Sequence, residues 1–281
     1  MSFAGLSNMK KGTMPTAQKT LSQELQERME EFLEMDRFSL VVQPVVDFRT
    51  NTVSNGEVLS RLEHPERGVI FPDQFLPVID ALDLYPRFDR YVFQKSCVWL
   101  RRSLAEGEKF DCISCNFSRQ TLSDPTIAQD LIKIADSNGL SHRMLAVEIT
   151  EREQKSDEAQ LIANLKVLKE SGFRIILDDY GSGVTCEKDL LDFPLDIVKI
   201  DRSILLNAET EQGKAEFCAL VTKFMDLGAD VVCEGIETKE QNDFVRDCGC
   251  HYGQGFLYFK PIRQEQVFEM IRKSSLFEDT V

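Results

Sequence analysis

Between residues 174 and 201 the chain reads Arg174-Ile175-Ile176-Leu177-Asp178-Asp179-Tyr180-Gly181 and then, closing the interval, Ile197-Val198-Lys199-Ile200-Asp201. Each is a short apolar run that stops on polar residues a buried core would exclude. The pattern recurs along the chain. β-rich runs at Ser39–Pro44, Thr52–Leu59, Cys112–Phe117, Leu145–Thr150, Asp230–Cys233 and, more faintly, His251–Phe256 carry Gln43, Glu57, Asn116, Glu148, Glu234 and Gln254 at or near their ends. Helical stretches at Asp89–Leu104, Thr126–Ser137, Asp157–Ser171, Lys214–Leu227 and Lys239–Cys248 separate them. Strands alternating with helices predict crossovers and a parallel sheet. The first two runs are too close for a crossover, so they predict a hairpin and one antiparallel strand. Eight strands with intervening helices in about 250 residues predict a closed α/β fold, a TIM-like (β/α)8 barrel with an antiparallel first strand. The open doubly wound alternative would show a glycine-rich phosphate loop after an early strand. Gly181 and Gly183 come late and open no obvious long helix.

In such a barrel the strand C-termini converge on one mouth, where active sites sit. The polar residues at the run ends would therefore meet, four of them carboxylates (Glu57, Glu148, Asp178, Glu234) and one a lysine, Lys199. Alternation agrees: Ser114, Asn116 and Ser118 share one strand face, while Ile113, Cys115 and Phe117 share the other. Clustered carboxylates repel in a low-dielectric cleft unless cations hold them. An all-oxygen set suits Mg²⁺ or Mn²⁺ rather than Zn²⁺. The adjacent pair Asp178-Asp179 offers one carboxylate to each of two ions, the usual machinery for phosphodiester hydrolysis.

At these residues the chain resembles the EAL-domain family, over about Gln43 to Pro261. Gly56-Glu57-Val58-Leu59-Ser60-Arg61, running on through His64-Pro65, Gly68, Pro72 and Phe75 to Pro77, is similar to the signature stretch. Asn116-Phe117-Ser118, Glu148-Ile149-Thr150-Glu151, Asp178 to Gly183, Val198 to Asp201, Glu234 to Thr238, and Gln254-Gly255-Phe256 with Lys260-Pro261 resemble the later motifs in order. The resemblance implies hydrolysis of cyclic di-GMP to linear pGpG with two Mg²⁺ or Mn²⁺ ions. It implies Glu57, Asn116, Glu148 and Asp178 as ligands of the first ion. Asp178 would bridge to a second ion, which Asp179 and Glu234 also serve. Lys199 would contact the attacking water with Asp201 close by, Arg61 would meet a phosphate, and Gln43 would sit near a guanine. Glu151, Glu237 and Gln254 would position waters or ligands, Gln254 at the substrate.

Two departures stand out. Val58 replaces the middle alanine of the name motif. After Gly183 the chain reads Val184-Thr185-Cys186-Glu187-Lys188 where family members continue with tyrosine and serines. In the family this loop takes part in dimerisation and metal-site control. The resemblance thus implies a homodimer, with Asp179–Phe193 as the control segment, and a sensory or GGDEF domain attached in a longer protein. The alternative is a catalytically silent EAL module acting as a cyclic di-GMP receptor or protein-interaction domain.

Composition narrows the rest. A 42% apolar fraction over 281 residues supports a full core. A net charge of −14 argues against duplex nucleic acid, which is bound through phosphate neutralisation. No apolar run is long enough to predict a membrane span. Residues 1–17 are expected to be a linker and 18–277 the barrel. The eight cysteines, mostly in apolar runs such as Cys112, Cys115, Cys186 and Cys233, predict buried free thiols and a cytoplasmic setting. Cys112-x-x-Cys115 is a poor zinc site, because residues three apart on a strand face opposite ways.

Overall fold

A computed structural model describes residues 19–149, 157–181 and 187–273. Eight strands close a barrel: β1 (Phe38–Asp47), β2 (Thr52–His64), β4 (Cys112–Phe117), β5 (Leu145–Ile149), β6 (Arg174–Tyr180), β7 (Ile197–Ile200), β8 (Asp230–Cys233) and β9 (Tyr252–Gly253). Two short strands lie outside the ring, β3 (Gly68–Ile70) on β2 and β10 (Ile262–Arg263) on β1. β1 runs antiparallel to both of its barrel neighbours, β2 and β9. The remaining barrel pairs are parallel. The expected barrel with an antiparallel first strand is therefore the observed fold.

Helices α1 (Leu21–Glu34), α2 (Pro72–Ala81), α3 (Tyr85–Ala105), α4 (Arg119–Leu122), α5 (Ile127–Ser137), α6 (Glu158–Ser171), α7 (Glu187–Asp192), α8 (Arg202–Asn207), α9 (Glu211–Asp226), α10 (Lys239–Asp247) and α11 (Val267–Lys273) accompany the strands. Thr20 and Gln23 form a capping box at α1, whose Leu25, Met29, Phe32 and Leu33 are buried. α2 was not legible in the sequence. It starts on Pro72, where a missing N–H costs nothing, but it also carries Pro77 inside the helix, which ordinarily argues against one.

The alternation of each strand sorts side chains into two shells. Outward residues such as Val42, Val58, Ile113, Cys115, Val147 and Ile175 join the helices in one large core cluster. Val58 is 2% exposed and faces this shell, so the departure in the name motif is a packing change behind the site. Inward residues form a separate layer across the barrel: Val45, Cys112, Ala146, Ile176, Ile197, Val232 and Tyr252. Cys112 and Cys115 thus belong to different shells, as their spacing predicts.

That inward layer is the floor of the site. On the parallel strands, Ser114 follows Cys112 by two positions, Glu148 follows Ala146, Asp178 follows Ile176, Lys199 follows Ile197, Glu234 follows Val232 and Gln254 follows Tyr252. On antiparallel β1 the direction reverses, and Gln43 precedes Val45. A period of two therefore places one polar side chain from each strand directly above an apolar layer.

The expectation of free thiols holds for buried Cys97, Cys112, Cys115, Cys233 and Cys250. It fails for Cys218 and Cys248, which form a disulfide between α9 and α10 with Cα atoms 4.9 Å apart. Thirty residues separate them in sequence, so neither local pattern points to the other. Cys186 and the expected linker 1–17 lie outside the described residues. No helix among the described residues is long and apolar enough to cross a membrane.

The layered interior has a direct consequence. Ala146 is fully buried in the floor. Ala146→Leu should destabilise the fold by about 1–3 kcal/mol, the cost of overpacking a filled core. Urea unfolding measures this, and an unchanged midpoint would mean that the floor is not close-packed.

Candidate active site

Lys199 occupies the centre of the polar layer. It is 3% exposed, and its Nζ lies 2.5 Å from Glu148 Oε1, 2.6 Å from Glu234 Oε1, 2.9 Å from Asp178 Oδ1 and 3.2 Å from Glu57 Oε2. Those carboxylates come from β5, the end of β8, β6 and β2, so four separate strands must close before the cluster exists. Glu57 is further fixed by Asn116 Nδ2, which donates to its Oε1 at 3.1 Å, and by Gln254 Nε2, which donates to its Oε2 at 2.8 Å. Register places Gln43 opposite Glu57 across the hairpin.

One ammonium has three N–H bonds and a single charge, while four carboxylates surround it. Three formal negative charges are left over in a buried place. The titration behaviour reflects this. Burial, with Glu57 and Asp178 close by, pushes Glu148 well above the usual carboxylate range. Burial and neighbouring carboxylates raise Asp179 to about 7, and burial raises Glu234 to about 8 against the pull of Lys199. For Glu57 burial acts upward too, but the Lys199 charge and the Gln254 and Asn116 donors outweigh it and hold the group low. Lys199 feels burial pulling downward, and Asp178, Glu148, Glu234 and Glu57 together keep it firmly protonated.

The donor set fits divalent cations. Asp178, Asp179 and Glu234 each bring an oxygen within 4.8 Å of the others. Glu148 Oε2 is buried and accepts no hydrogen bond from the described residues, and Asp178 Oδ1 is buried with the Lys199 ammonium beside it. Asp179 has a φ of 53°, the left-handed region, which a non-glycine residue adopts only under local constraint. That twist lets two successive residues, Asp178 and Asp179, both turn carboxylates toward the mouth.

Other expected residues are more dispersed. Asp201 caps α8, its Oδ1 accepting from Ser203 N at 2.9 Å, and its charge acts on Asp179. Arg61 is half-buried, donates to the Ser60 carbonyl, and has no carboxylate within ion-pair distance among the described residues. Glu237 accepts from Arg202 at 2.9 Å, in a pair at the rim rather than in the cluster. Glu151 lies outside the described residues.

Sequence reasoning missed Asp89. This α3 residue is 4% exposed and accepts from Ser118 N at 2.9 Å and from the Thr121 hydroxyl at 2.6 Å. It fixes the turn that follows Asn116, and burial raises its carboxyl to about 6. The available signal was an acid next to the buried positions Phe88, Val92 and Phe93 of an amphipathic helix.

The raised carboxylates make a pH prediction with a definite sign. Groups whose folded pKa exceeds the unfolded value stabilise the metal-free fold at low pH, and that contribution is lost as pH rises through the folded pKa. Here the window runs from the ordinary values of 3.8 and 4.5 up to about 7 for Asp179 and about 8 for Glu234. Cations that replace the protons offset the loss. The increase in melting temperature on adding Mn²⁺ should therefore be larger at pH 8 than at pH 6. Equal increments at both pH values would contradict this electrostatic account.

The EAL domain family matches residues 23–261. Among curated proteins, the cyclic di-GMP phosphodiesterase NbdA of Pseudomonas aeruginosa is 29% identical over 254 residues, which is 89% of this chain and 32% of that protein. The probable cyclic di-GMP phosphodiesterase PdeG of Escherichia coli is 30% identical over 231 residues, 82% of this chain and 45% of that protein. This chain thus spans less than half the length of these relatives. Among solved structures, the PaMucR phosphodiesterase in complex with c-di-GMP superposes with a TM-score of 0.79 at 28% identity, covering 87% of this chain and 99% of that one. With the family matched across most of its length and the barrel shared, this chain belongs to the EAL domain family.

Proposed function

We propose that this protein is a phosphodiesterase that hydrolyses cyclic di-GMP to linear pGpG with two divalent cations, Mg²⁺ or Mn²⁺. The observation that carries the reading is the convergence of Glu57, Glu148, Asp178 and Glu234 on Lys199, with Asp179 beside them. Glu57, Asn116, Glu148 and Asp178 would hold one ion; Asp178, Asp179 and Glu234 would hold the other. When bound, such ions lower the pKa of a water molecule and neutralise charge building on phosphoryl oxygens.

The chain's own groups do the remaining work. Arg61, with no competing carboxylate at ion-pair distance among the described residues, binds a phosphate. Gln43 meets a guanine at the mouth, and Gln254 holds Glu57 in its orientation. The water oxygen bonds to phosphorus and the bond to the 3′-oxygen breaks, leaving a 5′-phosphate and a 3′-hydroxyl. Lys199 stays an ammonium among its carboxylates, so it orients the water and offsets charge rather than taking the proton. A carboxylate of the Asp179 and Glu234 edge takes that proton, and the departing 3′-oxygen takes up a proton from solvent. Self-association near Asp179–Phe193 belongs to the same proposal, supported by the exposed Leu191 within that segment and the exposed Leu227, which lines a surface hollow with it. Residues 182–186, which include Val184-Thr185-Cys186 of the unusual loop sequence, lie outside the described residues. Attachment to a sensory or GGDEF domain and a cytoplasmic location also remain part of the proposal.

A receptor without turnover is the competing reading. The complete ligand set favours the enzyme, because a binding module needs no lysine at the centre of its carboxylates. Incubation with cyclic di-GMP and Mg²⁺ or Mn²⁺ should yield pGpG, and Ca²⁺ should inhibit through its longer bonds and higher coordination number. Binding without product under every metal would favour the receptor. Glu57→Ala, Asn116→Ala and Asp178→Ala should lose turnover together with metal. Lys199→Ala should keep metal binding, by calorimetry, while kcat falls by about 100-fold or more, the scale of removing a charge-stabilising donor. Equal loss of metal in Lys199→Ala and Asp178→Ala would refute the role given to Lys199.

A further inference from the structure

The Cys218–Cys248 disulfide has no part in the carboxylate chemistry, yet it encloses one of its members. α9 leads into β8 and α10 follows it. The bond joins residues 30 positions apart and so closes a loop of chain that contains β8 and, near its middle, Glu234. The two helices meet behind that strand. Phe217 of α9 packs on Phe244 of α10 with ring centroids 5.3 Å apart. Phe217, Val245 and Cys250 share a core cluster with Cys233, the last residue of β8. Cys248 caps α10, and from there the chain turns through Gly249, at a φ of 91°, toward β9. Gln254 N donates to the Cys233 carbonyl at 2.9 Å, and Ile236 N donates to the Gln254 carbonyl at 3.1 Å. Glu234 and Gln254 thus stand on two arms that the bond ties together from the helix layer.

These two sulfurs differ from the other thiols. Cys97, Cys112, Cys115, Cys233 and Cys250 are buried and free. Burial pushes Cys112, Cys115 and Cys250 up to about 12 and raises Cys97 and Cys233 as well. A thiol held protonated and out of reach does not exchange. Cys218 and Cys248 are half-buried, so an outside thiolate can reach them. Their Cα atoms, 4.9 Å apart, are brought within disulfide range by a helix seam that has its own apolar contacts. That seam stays in place when the bond is cut. In a reducing cytoplasm, the setting proposed above, disulfides are usually transient and serve catalysis or redox sensing.

We propose that Cys218 and Cys248 form a reversible modification site that exchanges with an external dithiol, and that the bond tightens the hold on Glu234. In the reducing direction a thiolate of the dithiol attacks one sulfur, and the Cys218–Cys248 bond breaks. The dithiol's second thiolate then resolves the mixed disulfide. Two electrons pass to the protein, whose sulfurs leave as thiolates and take up protons, while the dithiol becomes a disulfide. A low-molecular-weight disulfide such as oxidised glutathione runs the exchange in reverse and departs as two thiols. With the bond made, α9 and α10 move as one unit, the turn bearing Glu234 has fewer alternatives, and the second cation binds more tightly. The effect on the cation rests on the two-cation reading proposed above; the exchange itself does not.

The test incubates the full, folded chain with dithiothreitol or with oxidised glutathione, labels free thiols with a maleimide, and maps the labels by mass spectrometry. Cys218 and Cys248 should be labelled after dithiothreitol and protected after oxidised glutathione, while the five buried thiols stay unlabelled in both. With the reagents removed under argon, calorimetry should show Mn²⁺ binding about fivefold or more tighter in the oxidised protein, the lower end of coupling between sites. The metal-free melting temperature should also be higher, because the bond restricts the unfolded chain. Cys248→Ser should give the reduced values and ignore both reagents; the reduced wild type makes the same comparison without a substitution. Labelling of the pair only after unfolding in urea would make the bond a permanent staple and overturn the site. Labelling under both reagents would overturn it too, since the bond would not form. Equal Mn²⁺ affinity in the two states would overturn the hold on Glu234 while leaving the proposed activity standing. A wild-type protein that binds no Mn²⁺ in either state would overturn the two-cation reading and the hold on Glu234 with it.

Discussion

The ammonium of Lys199 and the four carboxylates around it are the constraint on which the rest of the barrel depends. Bringing like charges together inside a protein is costly, and one buried cation offsets only part of the cost. The barrel must close for the cluster to form, because its members sit on β2, β5, β6, β7 and the end of β8. The burial energy of two large outer core clusters holds that closure against the repulsion. The remaining imbalance appears as carboxyl groups whose pKa values are raised toward neutral pH, and the proposed divalent cations would relieve it.

Geometry follows from a simple repeat. An apolar inward layer and a polar layer two residues above it give the parallel strands from β4 to β9 the same local pattern, apolar then polar, which β1 carries in reverse. The apolar layer excludes water from below and keeps the effective dielectric low. Asn116 and Gln254 then spend their donors on Glu57, while Asp89 locks the turn beyond Asn116 from the helix layer. Function at the mouth therefore rests on contacts that reach back into the packing of the fold.

Much of this was legible in the sequence because strand alternation is a local code. The two-residue step between Ile176 and Asp178, or between Ile197 and Lys199, can be read without knowing the neighbours. The hairpin of β1 and β2 was equally readable from its short connection. What escaped reading depends on partners distant in the chain. Asp89 looks like an ordinary helix acid until Ser118 and Thr121 are placed against it. Cys218 and Cys248 look like free thiols until α9 and α10 are packed together. α2 was hidden by Pro77, and the pair between Glu237 and Arg202 joins residues 35 positions apart.

The central claim is that the layer was built around two divalent cations. Anomalous X-ray diffraction from crystals grown with Mn²⁺ tests it most directly. The account predicts two anomalous peaks in the mouth, one against Glu57, Asn116, Glu148 and Asp178, the other against Asp178, Asp179 and Glu234, with Lys199 beside them. Ordered crystals in saturating Mn²⁺ that show Lys199 still bridging the four carboxylates, with no anomalous peak among them, would contradict it.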